Sequence, residues 1–305
     1  MSISTNVPAR PRAGTGSLVL AGVLWGTGGI AGTVLASSSD LSALSVATYR
    51  LLLGGVFTVV AVGLIGRFRP GSGELLPRTV PVLRRVLVAG VLLALFQACY
   101  FAAVSLTSVS VATMATIGSV PVFVAGATAV RERRWPDPLT TLSVAGAVGG
   151  LVLLTGTPDG AVDRWRFTAG LVVALVSGAG FATLTLVTRI PVPGLDPLRT
   201  TAFGLLAGGV LLLPAAAWSG LAIPLHWEAL AAAGYLGAVP TALAYAAYFR
   251  GLAVAQPVLA ALAALLEPLT ATVLAVVLFG DALGVAGWCG AALLLSAVAV
   301  GSLRR

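Results

Sequence analysis

The sequence contains no lysine and one histidine, His226. Charged residues make up only 9% of its 305 positions, against about 25% in an ordinary soluble domain. That shortage excludes a water-facing globule, because a chain that is 58% hydrophobic with a mean hydropathy of +1.02 cannot cover itself with polar surface. It reads as a polytopic membrane protein with no separate soluble domain. Every basic residue other than His226 is arginine, and the net charge is +8. A nucleic-acid partner would need basic residues gathered on one patch, but these fall between apolar runs and behave as topology signals. Two cysteines, Cys99 and Cys289, both lie in apolar runs. They read as packed thiols, with neither disulfide nor metal-ligand spacing.

The same scarcities bear on enzymes. An intramembrane serine protease needs a serine and a base within the bilayer, but His226 sits in a short loop beside Trp227 and Glu228. No Gly-x-Ser-x-Gly elbow and no in-membrane His or Asp cluster is present, and the Pro70 to Gly73 loop lacks the Gly-Lys-Ser/Thr of a nucleotide-binding loop. No enzyme, no cofactor and no metal site is expected. A channel would show a continuous polar stripe along a pore, and none is visible.

What the chain has is apolar runs. Ten spans are expected, at residues 17–36, 43–66, 86–105, 109–130, 139–156, 169–188, 198–218, 229–249, 258–279 and 283–303. Each is close to the ~20 residues that a helix needs to cross a ~30 Å hydrocarbon core. Their apolar character is continuous rather than alternating, which disfavours strands. Residues 1–16 are expected to form a disordered cytoplasmic tail. Cleavage as a signal peptide is not expected, because span one is long for such a segment and nine more follow. With the N-terminus inside, fifteen arginines fall in inner segments, only Arg164 and Arg166 in outer ones, and Arg50 within a span. That bias places both termini in the cytoplasm.

The halves repeat. Leu51-Leu52-Leu53-Gly54-Gly55-Val56 matches Leu205-Leu206-Ala207-Gly208-Gly209-Val210. Pro121 matches Pro268, Val144-Ala145-Gly146 matches Val285-Ala286-Gly287, and Glu132 falls close to Asp281. Two units are expected, residues 17–156 and 169–303. Each holds an odd number of spans, so the second must be inverted, a transporter plan with the substrate site where the repeats meet.

These residues carry a resemblance. The chain resembles the drug/metabolite transporter superfamily, EamA type. The matching features are Leu266-Glu267-Pro268-Leu269-Thr270, Phe279-Gly280-Asp281, the Val285 to Gly290 motif, Leu24-Trp25-Gly26, Tyr49-Arg50 and the paired five-span halves. Arg131-Glu132 departs from the family's usual Gly-Glu. Within the family, the aromatic content of spans three and eight is similar to exporters of the YddG type. The resemblance implies a multi-pass secondary carrier of the bacterial inner membrane. Its partners would be a small-molecule substrate and lipid, and it would work as a monomer or homodimer. The cargo would be small metabolites, foremost amino acids including aromatic ones; multidrug or hydrophobic-cation efflux is the alternative.

Such a site needs aromatic walls and a few polar groups. Phe96, Gln97, Tyr100 and Phe101 share one helix face in span three, and Tyr245, Tyr248 and Phe249 share one in span eight. Trp25 and Thr27 would complete a cavity; the alternative is that these are core or lipid-facing side chains. Glu267 lies deep in span nine, where a carboxylate costs ~2.5–3.5 kcal/mol on insertion scales. It is either a substrate-amine or proton-coupled group, or a structural hydrogen-bond donor at the Pro268 bend. Arg50 is either a charge partner or a structural pin that snorkels or caps carbonyls. Pro121 and Pro268 are candidate hinges. Gly28, Gly29 and Gly32, with Gly146, Gly149, Gly150, Gly287 and Gly290, would allow close helix approach. Spans five and ten could also form a dimer seam, testable by crosslinking at Ala147.

Overall fold

The computed structural model describes residues 11–39, 41–67, 75–107, 109–155, 163–222, 226–279 and 284–302. The described chain is helical, with one isolated bridge between Val192 and Leu195. The first half contains α1 (Pro11–Ser39), α2 (Ala43–Arg67), α3 (Val80–Leu106), α4 (Val109–Glu132) and α5 (Pro138–Thr155). The second contains α6 (Arg164–Thr188), α7 (Pro197–Ser219), α8 (Trp227–Gly237), a π-helical segment (Ala238–Leu243), α9 (Ala244–Leu252), α10 (Pro257–Ala264), α11 (Leu266–Phe279) and α12 (Val285–Ser302). α8, the π segment and α9 make one span, Trp227–Leu252, and α10 with α11 makes another, Pro257–Leu278. Among the described residues, nine helices are long and apolar enough to cross a membrane, and Pro138–Leu154 is a shorter apolar helix. This is the all-helical polytopic chain that the composition requires.

Helix ends follow from local chemistry. In α6 and α7 the N-cap aspartates Asp163 and Asp196 accept from the backbone N–H groups of Trp165 and Arg199. Asp137 accepts from Leu139 and Thr140, and His226 Nδ1 from Ala229. These caps satisfy donors that a helix start leaves open. Proline occupies the first turn of α7 and α10, where its missing N–H costs nothing.

Three expectations change. α1 begins at Pro11, so residues 11–16 are helix rather than tail; Gly14 packs on Val254 and the Gly251 carbonyl, which holds that first turn. Residues 1–10 and Gly280-Asp281, with the expected Glu132–Asp281 equivalence, lie outside the described residues. In α1 the close approach occurs at Gly22 and Gly26. A Cβ at Gly22 would stand 2.3 Å from the Ala263 carbonyl oxygen, and one at Gly26 2.6 Å from that of Glu267. Finally, the small residues of α5 and α12 pack on each other within the chain. A Cβ on Gly290 would lie 2.6 Å from the Gly150 carbonyl oxygen, and Ala147 is fully buried, so this seam is already occupied.

Candidate functional site

The break at Leu265, between α10 and α11, positions the carboxylate. Pro268 has no N–H to give to the carbonyl four residues earlier, so the helix cannot run on unbroken there. α1 closes on this break through Gly22 and Gly26 and carries Trp25 beside it. The π segment is the second irregularity. Pro240 leaves the Leu236 carbonyl without its helical donor, and Thr241 Oγ1 supplies one at 2.7 Å. Arg50 of α2 donates through Nε to Thr241 Oγ1 at 3.2 Å and through Nη2 to the Pro240 carbonyl at 3.5 Å. Arg50 therefore reaches into the bundle rather than snorkelling outward.

Between these irregularities lies a cavity of about 400 Å³. Trp25, Arg50, Gln97, Tyr100, Phe101, Tyr245 and Glu267 all line it. It reaches Ala43 and Val109, at the starts of α2 and α4, and so opens toward that end of the bundle. Its floor is aromatic: Trp25 lies 5.1 Å from Tyr245 and 5.9 Å from Phe181 between ring centroids, and Phe181 lies 5.0 Å from Phe96. Tyr100 Oη and Thr113 Oγ1 share a hydrogen bond of 2.8 Å, which ties α3 to α4 at the wall. Ser177 Oγ donates to the Phe96 carbonyl at 2.7 Å and fixes α6 against α3.

Two donors in this wall have no partner among the described residues: Trp25 Nε1 and Gln97 Nε2. Both residues are buried, at 3% and 1% exposure. A buried polar group without a partner is costly, and a solute acceptor in the cavity would relieve both. No ion pair joins Arg50 and Glu267 among the described residues. The cavity thus presents a carboxyl group, a guanidinium held at its edge by neutral acceptors, an indole and an amide N–H donor, and an apolar wall.

Two expected lining residues stand elsewhere. Thr27 turns away, and its Oγ1 donates to the Leu24 carbonyl at 2.7 Å. Tyr248 lies behind the floor, fully buried, 5.0 Å from Trp25 between centroids and sharing a 2.6 Å hydrogen bond with Thr185. Gly28, Gly29 and Gly32 all line the cavity; Gly28 also packs closely, since a Cβ there would stand 3.0 Å from Pro240 Cβ, whereas Gly29 and Gly32 face open space or loose contact. Pro121 and Pro268 are not lining residues, although each lies four residues after one that is. Phe181, the sole aromatic of expected span six, and the Pro240–Thr241 pair were not anticipated. A proline in the middle of a span was the available signal for the pair.

Comparison with known proteins agrees with this architecture. One solved crystal structure superposes with a TM-score of 0.75 over 96% of this chain and 99% of its own, at 21% identity, a likeness of fold. The uncharacterized transporter YwfM of Bacillus subtilis is 30% identical over 281 residues, 91% of this chain and 90% of that protein. The uncharacterized inner membrane transporter YicL of Salmonella typhimurium is 23% identical over 298 residues, 96% of each. An uncharacterized transporter of Archaeoglobus fulgidus is 27% identical over 289 residues, 95% of this chain and 96% of that one. A single family model matches twice, over residues 13–156 and 168–303, and the chain belongs to that family, the EamA-like transporter family.

Proposed function

We propose that this membrane transporter is a secondary carrier that exports small metabolites, foremost amino acids including aromatic ones, by alternating access at the cavity. The observation that carries the reading is the placement of Glu267 and Arg50 on one cavity with aromatic walls. A zwitterion offers an ammonium to the first, a carboxylate to the second and to Gln97 and Trp25, and an apolar body to the rings. The cavity is at the small end of the ~300–1,000 Å³ range of ligand pockets, which suits one metabolite.

The inverted repeat is part of this proposal, and reciprocal packing supports it. Gly55 faces Leu206 as Gly209 faces Leu52, the relation that a two-fold axis creates between matched positions. Neighbouring helices follow the same exchange: α3 packs on α7 as α2 packs on α8, and α6 on α4 as α1 on α11. The arginine bias supports cytoplasmic termini. The cavity then opens to the outside and its aromatic floor closes the inside. Export would require the floor to part and the Ala43–Val109 end to shut. The name of one relative, an inner membrane transporter, and the arginine bias support an inner (plasma) membrane location.

A second reading has its own observation. Arg50 is engaged with Thr241 and Pro240, so of the acid and the base on the cavity it is the acid, Glu267, that has no hydrogen bond to a described residue. That favours a hydrophobic cation. Counterflow in proteoliposomes separates the two, using labelled Phe, Trp, Thr, Met and Ala beside a lipophilic cation. Exchange of amino acids, competed by aromatic ones, supports the first reading. Exchange of the cation alone moves the assignment to cation efflux, and no exchange of any probe removes both.

A further inference from the structure

Four prolines lie within the described spans beyond a helix's first two positions: Pro121, Pro214, Pro240 and Pro268. Each deprives the carbonyl four residues earlier of its helical donor. Those carbonyls belong to Ile117, Val210, Leu236 and Ala264. Three of the four, Ile117, Leu236 and Ala264, are cavity-lining residues, and Val210 instead lies exposed on the outer surface. Membrane proteins usually re-satisfy such carbonyls with a hydroxyl or a π adjustment, and Leu236 follows that rule through Thr241. Ile117 and Ala264 do not. Among the described residues no side chain donates to either carbonyl, although nearby Ser119 and Thr272 donate to Thr116 and Pro268. α4 and α10 pack together, so the two residues belong to adjacent elements, and Glu267 follows Ala264 by three residues.

We infer that Pro121 and Pro268 build the receiving site for the cargo's positive group, by leaving the Ile117 and Ala264 carbonyls as acceptors that act with the Glu267 carboxyl. The inference deepens the proposed function and rests on its assignment of this cavity as the substrate site. It gives the two prolines a role in specificity rather than hinging. An ammonium has three donors, and this set supplies two backbone acceptors and a carboxylate. The C-terminal end of α10, where Ala264 sits, adds the negative end of a helix dipole. The chemistry selects primary amines over their uncharged or acidic counterparts. It holds for a free amine and for the ammonium of an amino acid.

The test is titration of the full detergent-solubilised chain with three probes that share a phenyl ring: phenethylamine, phenylalanine and 3-phenylpropanoate. Pro121→Ala and Pro268→Ala each restore an N–H to the carbonyl and should weaken both amines about tenfold, the scale of a hydrogen bond to a charged group. 3-Phenylpropanoate should be unaffected, and Pro214→Ala should leave all three affinities unchanged. Thermal unfolding of each variant confirms that it is folded. Equal weakening of all three probes by the two variants, or slower counterflow at unchanged affinity, would identify hinges and overturn the inference. So would a wild-type chain that binds no phenethylamine. A wild-type chain that binds phenethylamine with this proline dependence, yet exchanges no amino acid, leaves the receiving site standing and removes the amino-acid reading.

Discussion

Arg50 and Thr241 should be energetically coupled, and the size of the coupling decides whether Arg50 also pins the π segment. Arg50 Nε donates to Thr241 Oγ1 at 3.2 Å, and that hydroxyl donates onward to the Leu236 carbonyl at 2.7 Å. The Nη2 contact to the Pro240 carbonyl, at 3.5 Å, is at the limit of a hydrogen bond and adds little. One side-chain hydrogen bond between membrane helices contributes about 0.6 kcal/mol on average and at most about 1.7. A cationic donor belongs in the upper half of that range. Reversible unfolding in mixed micelles of wild type, Arg50→Ala, Thr241→Val and the double variant should therefore give an Arg50–Thr241 coupling of about 1–1.7 kcal/mol. Thr241→Val alone should cost more than Arg50→Ala, because it also leaves the Leu236 carbonyl without its donor. Additive losses, within the ~0.3–0.5 kcal/mol that independent sites show, would refute the claim that Arg50 pins the π segment. The N–H groups of Arg50 not used in these two bonds can meet a substrate carboxylate in either case.

Three further outcomes are expected. Glu267→Gln should abolish counterflow of amine-bearing solutes while the chain stays folded; wild-type rates in that variant would remove Glu267 from the transport step. Gly290→Val should cost about 1–3 kcal/mol in thermal or denaturant unfolding, because its Cβ meets the backbone of Gly150 and Leu154 at 2.6 Å and neither can yield. Gly29→Ala, with no atom of another element within 4 Å of the added carbon, should stay within about 0.5 kcal/mol of wild type, and equal losses would contradict the packing account. The two floor tyrosines should separate. Tyr248→Phe removes a buried hydrogen bond to Thr185 and should lower stability by about 0.6–1.7 kcal/mol. Tyr245→Phe, whose hydroxyl bonds no described residue, should leave stability unchanged and weaken solute binding instead, and the reverse pattern would place the wrong tyrosine at the cavity.

How much of this was legible depended on whether a residue's environment left it one choice. A run of about twenty apolar residues admits only a helix in lipid, so the spans could be read directly. Glu267 announced itself because a carboxylate at that depth needs a special setting. In α3, Gln97, Tyr100 and Phe101 recur at the helical repeat, and the structure puts all three on the cavity. α1 obeys the same arithmetic, but its small residues serve packing and cavity together, which the sequence does not separate. Trp25, Gly28, Gly29 and Gly32 stand at i, i+3, i+4 and i+7 and make one face. Thr27 is two residues from Trp25, about 200° around the helix, and cannot share that face. Glycine is ambiguous because the absence of a side chain serves either a neighbouring helix or an open space. Gly26 serves the first and Gly29 the second, and only the position of the next element tells them apart. The π segment was hidden for a related reason. A proline within a span is tolerated in several ways, and the one adopted at Pro240 depends on Thr241 being next in sequence and Arg50 arriving from 190 residues away. Local pattern thus located the helices and the costly charge, whereas the identity of the cavity wall required knowing which helices meet.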